Sequence, residues 1–135
     1  MLTIGDLAER TGVATTALRY YDELGLVRPT ARSGGQRRYD PAAVRQVGVV
    51  LLLRDLGFTL AEIARLVAGH TERPVWDELV RSKLVELDGL IRDAEIARTA
   101  LVHALACPAD DPGRCPSFLA IVDGRLAGRP LADPA

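Results

Sequence analysis

The chain has 135 residues, which is enough for one small domain and an extended appendage but leaves little space for two catalytic domains. Hydrophobic residues make up 48% of the sequence and aromatic residues only 4%, so an aliphatic core of packed helices is expected. The formal net charge of −1 predicts neither nucleic-acid nor membrane binding for the chain as a whole. The sequence has only two cysteines, no apolar run near the ~20 residues of a bilayer span and no signal-peptide pattern. We therefore expect a cytoplasmic protein with reduced thiols.

Two short helices are predicted at the N-terminus. Thr3 has the position of an N-cap, Asp6 follows three residues later, and Gly12 ends this first helix. The second helix opens at Thr15 and runs to Gly25. Two helices joined by a glycine-containing turn are typical of the helix-turn-helix motif, although many helical hairpins share this pattern.

A small β-wing is predicted next. Positions 26–29 and 36–39 flank the pair Gly34–Gly35, which is typical of the tip of a hairpin. Between positions 28 and 45, five arginines stand against one aspartate, so a local charge of +4 is hidden by the balanced total. The arginines are Arg28, Arg32, Arg37, Arg38 and Arg45.

Four further helices are predicted in the rest of the chain. Asp40-Pro41 predicts the start of a third helix that Gly57 ends, and Thr59 with Glu62 forms a capping-box pattern for a fourth. After a polar break at 69–74, apolar residues recur in alternating steps of four and three, which predicts one long helix over about 75–106. A short amphipathic helix is predicted over 117–126, and positions 127–135 are expected to be disordered.

The long helix needs a partner because it extends beyond the core of a small domain. A second copy of the chain, related by two-fold symmetry, is the simplest one. Arg98 breaks the apolar seam. The residues expected in this dimer interface are Leu84, Leu87, Ile91, Ala94, Leu101 and Leu105.

DNA recognition requires a helix that enters the major groove and cations that bind phosphates. The second helix is expected to present its outer face to the bases and its tyrosines to phosphates, and the wing arginines are expected to reach the neighbouring backbone or minor groove. A single arginine is better explained by solvation, but the helix hairpin, the wing and the basic patch together favour DNA. The predicted contact residues are Thr15, Thr16, Arg19, Tyr20, Tyr21, Arg32, Arg37 and Arg38.

Four segments resemble the MerR family of transcriptional regulators: IGDLA at 4–8, TALRYYDELGLV at 16–27, RRY at 37–39 and LGFTLAEI at 56–63. The resemblance covers roughly residues 1 to 106. It implies a mainly α fold with a winged helix-turn-helix domain over 1–70, a long antiparallel coiled-coil dimerisation helix over 75–106 and an effector loop and short helix over 107–126.

The resemblance also implies a mode of action. Family members bind a palindromic operator in a promoter whose −35 and −10 elements are too far apart. Effector binding makes the dimer bend and untwist that DNA, so that RNA polymerase can use it. By resemblance, Arg19, Tyr21, Arg32 and Arg37 occupy DNA-contacting positions, whereas Gln36 stands where an aromatic residue is common.

Cys107 and Cys115, with seven residues between them in a proline-rich loop, are the candidate effector site. Two soft thiolates suit a linear site for a monovalent d10 ion, Cu(I), Ag(I) or Au(I), better than tetrahedral Zn²⁺. The loop is similar to the metal loop of the copper-efflux branch of the family, which implies that both cysteines ligate. Free thiols, a reversible disulfide that senses oxidation, and a non-metal or absent effector are the alternatives.

One departure from the family pattern bears on the choice of metal. Family metal sensors carry Cys or Ser where the long helix begins, whereas this chain has Arg73 and Pro74. The missing cysteine argues against Hg²⁺, Zn²⁺ and Cd²⁺, and Arg73 is a candidate to neutralise a dithiolate site. His70 and His103 are expected to be solvated rather than ligating, and Trp76 is expected to anchor the long helix on the DNA-binding domain.

An enzyme is the rival class of protein. Against it, the sequence has no glycine-rich phosphate loop, no nucleophile elbow and no histidine–carboxylate arrangement for acid–base catalysis. We therefore predict a homodimeric regulator of promoter DNA that is not an enzyme and does not act at a membrane. A constitutive repressor without an effector is the alternative within the same class.

Overall fold

The computed structural model describes residues 1–69, 71–108 and 110–129. The chain is mainly α, as predicted, with a small antiparallel sheet. It divides into two compact units, Met1–Lys83 and the chain from Leu84 onwards, and α5 runs through the division. The elements are β1 (Leu2–Thr3), α1 (Ile4–Thr11), α2 (Thr15–Glu23), β2 (Ala31–Ser33), β3 (Gln36–Tyr39), α3 (Ala43–Asp55), α4 (Leu60–Val67), α5 (Arg73–Ala106), a 3-10 turn (Pro112–Arg114) and α6 (Pro116–Leu126).

The start and the end of α1 follow from local hydrogen bonds. The Asp6 backbone N–H donates to Thr3 Oγ1 at 3.0 Å, and the Thr3 N–H donates to Asp6 Oδ2 at 3.0 Å, so the predicted capping box is confirmed. These bonds lower the pKa of Asp6. Gly12 ends the helix with a left-handed φ of 74°, a conformation that glycine adopts without a steric penalty.

The wing forms as a hairpin, but its first strand is not where the sequence placed it. Gly34 and Gly35 make the two-residue tip, with φ values of 58° and 77° that suit a primed turn. The strand before the tip is Ala31–Ser33 rather than 26–29, because Leu26 and Val27 are buried in the core directly after α2. The two-residue strand β1, which the sequence did not predict, pairs with β3 and gives the order β1-β3-β2.

The third helix begins slightly later than Asp40-Pro41 predicts. Asp40 Oδ1 accepts a hydrogen bond from the Ala42 N–H at 2.8 Å, which caps a turn, and α3 starts at Ala43. The predicted capping box of α4 is confirmed, since the Glu62 N–H donates to Thr59 Oγ1 at 3.1 Å and the Thr59 N–H to Glu62 Oε1 at 2.9 Å.

One hydrophobic core holds the first unit together, and the start of α5 belongs to it. Among the described residues, seven large side chains are at most 1% exposed, and they come from α1, α2, the segment directly after α2, β3, α3 and α4. They are Leu7, Leu18, Val27, Tyr39, Val47, Val50 and Ile63. Leu79 is buried in this core and Trp76 packs against it, so the predicted anchoring role of Trp76 is confirmed.

Lys83 is a buried cation where α5 leaves the core, with 6% of its surface exposed. Its Nζ lies 3.3 Å from Glu62 Oε1 and 5.2 Å from the centroid of the Phe58 ring. The same Glu62 carboxylate caps α4, so one ion pair connects the long helix to the start of α4.

The second unit begins with the exposed continuation of α5. This helix has 34 residues, a length of about 50 Å at ~1.5 Å per residue. The predicted seam residues carry large exposed apolar fractions: Leu84 54%, Ile91 57%, Leu101 69% and Leu105 91%; Leu87 is half-buried and Ala94 exposed. None of the helices in the described ranges combines the length and apolar character that a bilayer span requires.

Helix α6 closes the described part of the second unit. It covers Pro116–Leu126, one residue longer than the predicted 117–126, and Ala127 and Gly128 turn the chain at its end. The expectation of disorder over 127–135 lies, from position 130 onwards, outside the described residues.

Candidate nucleic-acid interface and metal centre

The outer face of α2 presents polar side chains at helical spacing. Thr16, Arg19 and Tyr20 are exposed, and Thr15 is half-buried at the first position of the helix. Tyr21, by contrast, is only 6% exposed and packs in the core, so the structure does not present its ring on this face. The predicted contact of Tyr21 with DNA stays a prediction.

Asp22 joins the wing to α2. Its Oδ2 accepts a hydrogen bond from Arg37 Nε at 2.9 Å and another from Arg32 at 3.3 Å, and the side chain is only 14% exposed. Arg32 and Arg37 stand opposite each other on the hairpin, which brings both to one carboxylate. The sequence assigned these arginines to DNA alone; the structure shows that they also fix the wing beside α2.

Arg38 lies on the other face of β3 from Arg37, because side chains alternate along a strand. It is half-buried, and its Nη1 has no hydrogen-bond partner within the described ranges. The hydroxyl of Tyr39, on the Arg37 face, is likewise buried and unpaired among these residues, and burial raises the pKa of Tyr39. The three wing arginines predicted to contact DNA are therefore not equivalent.

Three side chains that could bind a soft or borderline metal ion meet at the C-terminal end of α5. Their donor atoms, on His103, Cys107 and Cys115, all lie within 4.8 Å of one another. The Cys115 Sγ is 3.9 Å from His103 Nε2. His103 is exposed on α5, as expected, but it is not isolated, because its ring lies near both cysteines. The four-residue spacing of His103 and Cys107 was the signal, since such side chains share one side of a helix; His70 lies outside the described residues.

Asp111 shapes the loop that brings Cys115 back to the helix end. Its Oδ1 accepts a hydrogen bond from the Gly113 N–H at 3.0 Å, its carbonyl accepts one from the Arg114 N–H at 3.0 Å, and its carboxylate lies 3.5 Å from Arg114 Nε. The resulting 3-10 turn delivers Cys115 to the N-cap position of α6, where Pro116 follows as the first helical residue.

The environment of Cys115 favours the thiolate. The His103 side chain, followed by the Phe118 backbone amide, the Cys107 side chain and the Ser117 amide, lowers the pKa of Cys115 to about 6. Cys115 is buried with 7% exposure, Cys107 is half-buried and His103 is exposed. A thiolate at neutral pH is the form in which cysteine binds metals and reacts as a nucleophile.

Arg73, the candidate for neutralising the metal site, is an exposed side chain at the first position of α5. Its Nε forms an ion pair with Asp77 Oδ1 at 2.8 Å, four residues along the same helix. Its effect on a bound ion stays a prediction.

Comparisons with known proteins place the chain in a family. The model of the MerR HTH family regulatory protein matches residues 2–70, and that of the MerR DNA-binding region matches residues 44–104. The chain belongs to the MerR family. It is a MerR-type DNA-binding transcriptional regulator, and the class of protein predicted from the sequence is confirmed.

Relatives of similar length are also transcriptional regulators. The chain is 30% identical over 128 residues to the HTH-type transcriptional regulator HmrR of Rhizobium leguminosarum bv. viciae. This alignment covers 91% of this chain and 99% of HmrR. It is 34% identical over 121 residues to the HTH-type transcriptional regulator CueR of Escherichia coli O6:H1, covering 85% and 90% of the two chains.

Two solved structures share the MerR-family fold. The N-terminal part of the Bacillus subtilis multidrug transporter activator, MtaN, is 28% identical, with a TM-score of 0.51 over 73% of this chain and 97% of MtaN. The regulator PbrR691 of Ralstonia metallidurans CH34, solved in complex with lead(II), has a TM-score of 0.68 at 20% identity over 90% and 99% of the chains.

Proposed function

We propose that the protein binds a palindromic promoter operator as a homodimer. The observation that carries this proposal is the exposed face of Thr16, Arg19 and Tyr20 beside a wing that Asp22 holds in place. Such an arrangement lets α2 enter the major groove while cationic wing side chains stay near the flanking backbone.

The second copy is placed along α5. Apolar side chains as exposed as Leu101 and Leu105 are unusual on a monomeric helix surface, and their alternating four- and three-residue spacing suits an antiparallel coiled coil. Two-fold symmetry then presents two copies of α2 to one DNA duplex about one helical turn apart, which is why the operator is expected to be a palindrome.

A soft monovalent ion at Cys107 and Cys115 is the proposed effector. The ion of first choice is Cu(I), with Ag(I) and Au(I) as chemically similar ions, since thiolates prefer soft d10 cations. The low pKa and burial of Cys115 and the nearby Cys107 sulfur support this assignment. In PbrR691, a protein of the same fold, the bound ion is lead(II).

The effector acts through the shape of the DNA. Metal binding changes the distortion that the dimer imposes on the promoter, and RNA polymerase responds to the promoter rather than to a direct contact. The cost of bending a site of 20–30 base pairs is on the order of 1–6 kcal/mol, within reach of the coupling free energy of one bound ligand in each protomer.

Operator binding is tested by selecting duplexes from a random library with the full-length protein. The expected product is a two-fold symmetric sequence that a dimer binds both with and without Cu(I). Cu(I) is expected to change the electrophoretic mobility of the bound DNA, which reports how strongly the DNA is bent. Selection of an asymmetric single site by a monomer would contradict the proposal.

The effector is tested by titrating reduced protein with Cu(I) in competition with a Cu(I) chelator. We expect one ion per protomer, lost in Cys107→Ser and in Cys115→Ser. The matched control is Ser117→Ala, which keeps both thiols and the backbone amide beside Cys115. A wild-type protein that retains no Cu(I) would exclude the metal effector and leave the DNA-binding assignment intact.

A thiol redox switch is the second candidate, because a Cys115 thiolate lies near a second sulfur. The thiolate would attack a peroxide O–O bond, releasing an alcohol or water and forming a sulfenic acid, and the Cys107 thiol would then displace water to form a disulfide. Mass spectrometry of peroxide-treated protein checks this reaction. Loss of two hydrogens with altered DNA bending would favour the redox switch, and an unchanged mass would exclude it.

A further inference from the structure

We propose that His103 Nε2 is a third metal ligand, so that the ion is bound by two sulfurs and one nitrogen in a trigonal site. This inference rests on the proposed metal effector and concerns its coordination and selectivity. The linear site expected from the sequence counted only the two cysteines, whereas the structure brings a third donor atom to the same place.

The separation of the donor atoms supports a trigonal arrangement. With a metal–sulfur bond of ~2.3 Å and a metal–nitrogen bond of ~2.0 Å, as in zinc sites, the sulfur–nitrogen edge of a planar trigonal site is about 3.7 Å. The observed distance between Cys115 Sγ and His103 Nε2 is 3.9 Å. The imidazole therefore needs only a small adjustment to ligate an ion held by Cys115.

The backbone fixes where the imidazole can go. His103 belongs to the last turn of α5, Cys107 follows the last residue of that helix, and Cys115 is the N-cap of α6. All three donors are thus attached at or directly beside helix ends, and preorganised ligands lose less conformational freedom when they bind.

The burial of the donors points in the same direction. Cys115 is buried and Cys107 is half-buried, whereas His103 is on the exposed side. A linear dithiolate complex would leave the ion open toward that side, where water or a small thiol could approach. The imidazole closes this approach with a neutral ligand, so the complex of Cu(I) with two thiolates keeps its net charge of −1.

The third ligand has a consequence for selectivity. Cu(I) readily accepts trigonal coordination and gains affinity from the imidazole, whereas Au(I) strongly prefers two collinear ligands and gains little. Removing the imidazole is therefore expected to weaken Cu(I) binding and to leave Au(I) binding nearly unchanged.

The variant His103→Ala tests this assignment in the full-length reduced protein. Because His103 is exposed and alanine is the strongest helix former, α5 is expected to stay intact. The matched control is His70→Ala, which removes the other histidine of the sequence. Affinity is measured with a Cu(I) chelator and with a gold(I)–thiolate complex as competitor, and coordination by X-ray absorption at the copper edge.

We expect two sulfur scatterers and one nitrogen scatterer in the wild-type protein and in His70→Ala. In His103→Ala the nitrogen scatterer is lost and Cu(I) affinity falls by at least about tenfold, the lower limit found even for residues that only support a metal ligand. Au(I) affinity stays within about threefold of wild type, a difference of less than ~0.7 kcal/mol.

Two other results would overturn the inference, and they differ from each other. If wild type and His103→Ala bind Cu(I) equally well with two sulfurs only, the third ligand is excluded and the two-cysteine effector site stands. If the wild-type protein retains no Cu(I), the proposed metal effector fails, and the trigonal site fails with it.

Discussion

Replacing Arg19 by alanine tests the recognition face most directly. Arg19 is exposed on α2 and makes no ion pair within the described ranges, so its loss is not expected to destabilise the fold. A bidentate arginine–guanine contact discriminates by ~1–3 kcal/mol. A dimer loses two such contacts, or about 2–6 kcal/mol, so operator affinity should fall by at least about thirtyfold.

Fluorescence anisotropy with the selected operator and with a scrambled duplex, each at several salt concentrations, measures this loss. A contact to base edges predicts weaker operator binding, unchanged binding to the scrambled duplex and a nearly unchanged salt dependence. Arg92→Ala is the matched control, because it removes the same charge from an exposed position of α5 in the second unit.

An equal fall in affinity for the operator and the scrambled duplex would mean that Arg19 binds a phosphate. It would also lower the slope of log affinity against log salt by roughly 1 for each protomer. Unchanged operator affinity in the folded, dimeric variant would refute the assignment of α2 as the recognition helix.

Side chains away from the recognition face give four further expected outcomes. Tyr39→Phe removes a buried hydroxyl that has no partner in the described chain, so the free energy of unfolding should rise by about 1 kcal/mol; a lower melting temperature would contradict this. Lys83→Met keeps an apolar stem beside Phe58 and should change stability by less than about 1 kcal/mol in chemical denaturation, whereas Lys83→Ala should cost about 2 kcal/mol; equal losses would contradict the packing role. Ile91→Lys places a charge in the seam and should give monomers in sedimentation at micromolar concentration, and a persistent dimer would locate the interface elsewhere. Ultraviolet absorbance of metal-free protein should show the Cys115 thiolate titrating with a pKa of about 6. Because this pKa lies below that of the unfolded chain, the contribution of the thiolate to stability is complete above about pH 9 and is lost as the pH falls through 6. A titration midpoint near pH 9 would rule out the described surroundings of Cys115.

Elements that depend on nearby residues were predictable from the sequence. The capping boxes of Thr3 and Thr59 are made by groups three residues apart, so their patterns are sufficient. The first wing strand was misplaced because Leu26 and Val27 have the composition of a strand, yet they fill the core after α2. Strand β1 has only two residues, too few for any periodicity to show.

The sites were predicted less completely because they join distant parts of the chain. The sequence identified Asp22 as part of a family motif, but its ion pairs with Arg32 and Arg37 depend on how the hairpin packs beside α2. The cysteine pair was recognised from its spacing. The approach of His103 to Cys115 was missed, because it requires the chain reversal that Asp111 stabilises.

The proposed metal centre and the DNA-binding face differ in how much of the fold each one needs. The three candidate donors lie between positions 103 and 115, so only a short loop has to close to assemble them, and the entropic cost of closure is small. The recognition face instead requires a strand order, a buried core and a long-range ion pair around Asp22. A substitution that unfolds the first unit is therefore expected to abolish DNA binding but not ion binding. Such a variant would bind the ion without changing transcription.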